Sequence, residues 1–166
     1  MEDSISYKLL ASLLTAGVVG CAAGSTGPSS DPRADFGTLN AASLELTAQG
    51  GLAALQQHQL VRHDDRSYVS TNRHLCAPAC GAPFDSTSGT LSAAATDSLF
   101  NIAWHQTPYS LKDDYGTTQY GADMMTYTLR VTFDGRTKTI TADDGSMPSQ
   151  MRAIVSAMRG IIAATR

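Results

Sequence analysis

From residue 40 onward, the apolar and polar positions follow two periods. Ser43-Leu44-Glu45-Leu46-Thr47 alternates, which predicts a strand with Leu44 and Leu46 inward. Gln49-Gly50-Gly51 is a turn signal. A second strand is expected over Leu55 to His63, with Leu60 and Val61 as its apolar content, then a turn at Asp64-Asp65 and a short third strand over 67–71. Residues 72–90 show no period. Leu91, Ala94, Ala95, Leu99, Ile102 and Ala103 have helical spacing, predicting an amphipathic helix over 91–104 with Thr90 as its N-cap and Pro108 closing the segment. Residues 109–122 read as a long loop.

The second half is the more regular. Met125, Tyr127, Leu129, Val131 and Phe133 alternate with Thr126, Thr128, Arg130 and Thr132. Asp134-Gly135 then suits a type I′ hairpin, which needs positive φ at both central positions. Residues 136–141 return as the partner strand. Ser146-Met147-Pro148 opens a helix, with Pro accepted in its first turn. Met151, Ile154, Val155, Met158, Ile161 and Ile162 form its apolar stripe, with Arg152, Ser156 and Arg159 opposite. The order β-β-β-α-β-β-α predicts an α+β fold: an antiparallel sheet of four to five strands with two helices on one face.

The first 40 residues follow neither period. Lys8 precedes an apolar run, Leu9 to Val19, too short for the ~30 Å hydrocarbon core but of signal-peptide length. Val18-Val19-Gly20-Cys21 resembles the lipobox of bacterial lipoproteins. That resemblance implies a signal peptide over 1–20 and a mature chain that begins at an acylated Cys21. Ala22 at the next position implies outer-membrane sorting. Several acyl chains hold a protein on a membrane where one holds it only marginally. Glu2 and Asp3 depart from the usual basic start. An ordinary secretory signal cut near Ala22-Ala23, or a buried apolar segment, are the alternatives. Residues 21–39, rich in Gly, Ser, Pro and Ala, have the composition of a tether, leaving 40–166 as the folding unit.

Charge narrows the function class. The formal net charge is -3, and nucleic-acid binding calls for a basic footprint. Cys76-Ala77-Pro78-Ala79-Cys80 reads as a disulfide in an exported chain, since acylation of Cys21 leaves an even pair. A soft-metal site with His74, or a redox site, is the alternative, although the redox spacing is C-x-x-C. H-E-x-x-H, G-x-S-x-G and a phosphate-binding glycine loop are all missing from the sequence. His63-Asp64-Asp65 reads as a solvated turn. Trp104, the sole tryptophan, suits core packing or an interface anchor. No catalytic residue, metal ligand or cofactor is expected.

Gly50-Gly51-Leu52-Ala53-Ala54-Leu55, Gly89-Thr90-Leu91-Ser92, the stretch Ala122 to Ile140 and Asp143-Asp144-Gly145-Ser146-Met147-Pro148 together resemble the emfourin family, small bacterial inhibitors of thermolysin-like metalloproteases. Asp123, Tyr127, Asp134, Gly135 and Pro148 fall where that family's pattern puts them. The likeness spans about residues 42–164. It implies a non-enzymatic inhibitor whose loops fill a protease cleft; export and a lipid anchor come from the lipobox resemblance, and the lipoprotein N-terminus, the 76–80 cysteine loop and the long 106–122 loop depart from the family's pattern. The contact candidates are the 49–54 turn, with Gly50, Gly51 and Leu52, and the 106–122 loop, with Asp113, Asp114 and Tyr115. The rival readings are an envelope-binding lipoprotein with another ligand and a metal or redox protein centred on Cys76 and Cys80.

Overall fold

A computed structural model describes residues 41–51, 54–74, 85–116 and 123–165. The expectations for Cys21, Cys76, Cys80 and Leu52 lie outside the described residues. Among these residues are six strands: β1 (Ser43–Gly50), β2 (Leu55–Arg62), β3 (Ser67–His74), β4 (Asp85–Thr90), β5 (Met125–Phe133) and β6 (Arg136–Asp143). Two helices, α1 (Ala93–His105) and α2 (Ser149–Ala163), accompany a short 3-10 helix, Pro108–Ser110. The sheet is antiparallel throughout, in the order β4-β3-β2-β1-β5-β6.

Alternation sets the inner face. Leu44, Leu46 and Ala48 lie opposite Val131, Leu129 and Tyr127 of β5, and Ile140 and Ala142 of β6 extend the same rows. All are buried, together with Leu99, Phe100 and Ala103 of α1 and Met151, Ile154, Val155, Met158 and Ile162 of α2. Each such large apolar side chain contributes about 1.5–3 kcal/mol by leaving water, and both helices therefore cover the one face.

Several local expectations shift. Residues 85–90 form the edge strand β4 rather than irregular chain, and β3 runs on to His74. Thr90 is spent in β4 opposite Ser67, so Ser92 caps α1 instead, its Oγ accepting the Ala95 N–H at 3.2 Å. Leu99 and Ala103 are buried as expected, but Thr96 and Phe100 complete the buried side of α1, while Ala94 is exposed and Ile102 half-buried. Pro148 stands at the N-cap of α2, one place before the helix. His63 is not solvated: it packs edge-on to Phe100, with ring centroids 5.1 Å apart, and its Nε2 lies 3.4 Å from Asp97. Asp65 does belong to an exposed turn. Hydrogen bonds from Ser67, side chain before backbone, hold its carboxyl below the ordinary value.

The expected hairpin forms, with φ of 48° at Asp134 and 76° at Gly135. The loop after α1 runs along the outer edge of β6 and is tied to it. Tyr115 N–H donates to the Thr141 carbonyl at 2.9 Å, and Thr141 N–H to the Asp113 carbonyl at 2.8 Å. Those bonds occupy main-chain groups that an exposed edge strand would otherwise offer to other chains.

Candidate functional site

The strand register gathers segments distant in sequence at one end of the sheet. Gly50 ends β1 opposite Met125, the first residue of β5. Its φ is +124°, and a Cβ there would stand 2.6 Å from the Met124 carbonyl oxygen. Only glycine supplies that conformation without a backbone clash. Gly51, at φ +73°, donates its N–H to the same carbonyl at 3.3 Å, and Ala54 N–H donates back to the Gly51 carbonyl at 3.0 Å. A Cβ on Gly51 would lie 3.4 Å from Asp123 Oδ1. The turn is thus built against the start of β5.

Asp144 secures that start. Its Oδ2 accepts the Met125 N–H and its Oδ1 the Tyr127 hydroxyl, both at 2.8 Å. Burial, and then this bond to Asp144, raise the Tyr127 hydroxyl above the ordinary tyrosine value, with Arg159 opposing. The Arg159 guanidinium sits 5.3 Å from the Tyr127 ring centroid and donates to Gln57 Oε1 at 2.8 Å. It joins α2 to β2 and β5, so it does not face away from the sheet as its place on the helix period suggests.

Asp143 organises the next turn. Its buried carboxylate accepts the N–H of Gly145 at 2.9 Å and of Ser146 at 2.7 Å. Ser146 Oγ accepts the Asp143 N–H and donates to the Gly116 carbonyl at 2.9 Å. The tip of the 106–116 loop is therefore drawn to this same end. Local Asx bonding of this kind gives rigid turns. The arrangement presents fixed main chain on a braced base, which suits binding.

The other expected contact residues play mixed parts. Tyr115 packs against the core. Asp113 is exposed and its carboxylate pairs with Lys138. Asp114 is exposed, and its Oδ1 accepts the Gly116 N–H at 2.7 Å. His74 ends β3 exposed. Among the described residues, no three His, Cys, Asp or Glu side chains converge as metal ligands, and no helix is long and apolar enough to cross a membrane.

The outer face of the sheet carries a different arrangement. Glu45, Thr47, Thr128, Arg130, Thr137 and Thr139 line a depression of about 320 Å³. His58 Nε2 lies 3.0 Å from Glu45 Oε1, and Arg130 lies 3.9 Å from Glu45 Oε2. Sequence reading gave these three no role, because Glu45 and Arg130 are polar members of alternating strands and His58 lies in the polar run Gln56 to Gln59. Asp144 and Arg159 were missed for a similar reason: the one reads as a turn residue, the other as a solvated helix position. No family model matches the chain, and no curated protein matches it in sequence.

Proposed function

We propose that this chain is an exported, lipid-anchored binding domain that blocks a thermolysin-like metalloprotease through the loop end of its sheet. One observation carries the reading. Residues on which the emfourin resemblance rests, Gly50, Gly51, Asp123 and Tyr127, lie in two segments some seventy residues apart, yet they meet at one end of the molecule. A turn clamped there by its own main chain loses little freedom on entering a cleft, which favours affinity. Membrane attachment through Cys21 would keep the inhibitor at the cell envelope.

The test is a titration of the chain from residue 22 onward into such a protease with a fluorogenic peptide. Stoichiometric loss of activity with the domain uncut is expected. Full activity across several such proteases would overturn the reading. The depression lined by Glu45 and Arg130, with His58 against Glu45, favours a second one, an envelope lipoprotein that holds a polar ligand on its open sheet face. Capture of a polar envelope component by the soluble chain that Glu45→Gln loses, with inhibition absent throughout, would support it.

A further inference from the structure

The opposite end of the sheet is aromatic. Phe133, the last residue of β5, is the hub: Phe100 at 6.0 Å, Trp104 at 5.4 Å and Tyr109 at 6.5 Å all meet its ring edge-on. Trp104 is nevertheless 39% exposed, the large apolar side chain that the described residues leave open to solvent. Beside it, the Tyr109 hydroxyl donates to the Arg136 carbonyl at 2.8 Å and accepts the Phe133 N–H at 3.1 Å. The Arg136 guanidinium stands over the Tyr109 ring, 4.8 Å from its centroid. An exposed indole, a fixed phenol and a stacked cation form one surface.

We propose that this Trp104–Tyr109–Arg136 surface is the face that the protein lays on its own phospholipid membrane, with the indole at the boundary of headgroups and acyl chains. The proposal rests on the reading of Cys21 as the acylated residue. Its chemistry is interfacial. Trp and Tyr carry an apolar body and a polar tip and concentrate where a bilayer meets water, and a guanidinium donates paired hydrogen bonds to phosphate.

The occupant follows from where the chain comes in. Ser43, at the start of β1, lies opposite Thr132, next to Phe133. The Ala42 carbonyl accepts the His63 N–H at 2.9 Å, and the His63 ring lies against Phe100. The chain thus enters β1 at the aromatic end, while Gly50 and Asp144 stand at the other. A flexible chain as long as residues 22–40 would span about 25 Å root-mean-square. A folded unit of this size is roughly 35 Å across. The end that receives the tether therefore stays nearest the bilayer, and tethering turns a weak contact into an intramolecular one.

Charge decides what kind of lipid contact this is. Arg136 and Lys112 are exposed, but so is Asp134 at the hairpin tip, and Lys138 is engaged by Asp113. The local charges nearly cancel. The contact therefore depends on the inserted ring and the tether, and its strength should change little with salt or with the anionic lipid fraction.

Trp104 being the sole tryptophan, its fluorescence reports this face alone. The acylated full chain, reconstituted in phosphatidylethanolamine–phosphatidylglycerol vesicles, is compared with Cys21→Ser in solution. A blue-shifted emission, quenching by brominated acyl chains and a roughly twofold or greater fall in acrylamide quenching are expected. Arg136→Glu, which keeps the reporter, should return the indole toward water. Equal acrylamide quenching on and off the membrane, with no effect of brominated lipid, would overturn the proposal and leave this face to a protein partner. Flotation separates the two failures. If the chain proves not to be acylated, a hexahistidine tag in place of residues 1–21, held on nickel-chelating lipid, gives the same readout.

Discussion

The two ends of the sheet are built by different means. At the hairpin end, aromatic rings meet on Phe133, and apolar contact does the holding. At the loop end, two carboxylates, Asp143 and Asp144, tie down main-chain groups, and glycines at positive φ let the backbone pass close to Met124. Ring packing tolerates small shifts in its members, whereas a hydrogen-bonded turn has one conformation or none. The difference suggests a division of labour. The aromatic end supplies stability and the proposed membrane contact, and the loop end the proposed protease contact.

This contrast can be broken from either side. Phe133→Ala should be the most damaging change, removing the ring shared by three others at a cost of about 3–5 kcal/mol, read as a fall in the urea midpoint. Its loss should spare the geometry of the 50–54 turn in whatever fraction stays folded. Gly50→Ala comes next, at roughly 1–3 kcal/mol, because it combines an unfavourable φ with a Cβ against backbone. Unlike Phe133→Ala, it should also abolish inhibition in protein that remains folded.

Tyr127→Phe tests the carboxylate bracing. It removes one bond to Asp144 and should cost about 1–2 kcal/mol at neutral pH. The pH dependence sharpens the point. The hydroxyl is raised above 10.0 in the folded chain. Its contribution is therefore full below the unfolded value and is lost as pH rises through the raised folded one. Alkaline unfolding curves should show a drop above pH 10 that Tyr127→Phe reduces. Tyr109, also raised by burial against the opposing Phe133 N–H and Arg136, should add to the same drop. Smallest of all, Lys138→Met should change stability by only about 0–1 kcal/mol, since its partner Asp113 is 83% exposed.

The same contrast explains what could be read in advance. Strands β1 and β5 were legible because one face is buried and one is not, so Leu44, Leu46, Leu129 and Val131 alternate cleanly. Asp134-Gly135 was legible because its conformation excludes most other pairs. By contrast, β4 was hidden. Its sequence Asp85-Ser86-Thr87-Ser88-Gly89-Thr90 has no apolar face: the positions paired with Asn72, Ser70 and Tyr68 are Asp85, Thr87 and Gly89. The tie of residues 113–115 to β6 is made by two main-chain bonds beside the Asp113–Lys138 pair, which leaves no side-chain period. Of the candidate site, the glycines were visible and their brace was not. Asp144 earns its place through partners 17 and 19 residues away, a distance no local pattern encodes. Arg159 looked solvated because helical spacing gives a direction but not which cation bends back over a ring.

The most direct test of the central claim compares a variant at each end in the same protease titration. Leu52→Asp alters the proposed contact turn, and Arg136→Glu alters the hairpin end. If the loop end is the inhibitory surface, Leu52→Asp loses inhibition while keeping its urea midpoint, and Arg136→Glu inhibits like the unaltered chain. If Leu52→Asp inhibits fully, or Arg136→Glu is the one that fails, the assignment of the loop end is wrong.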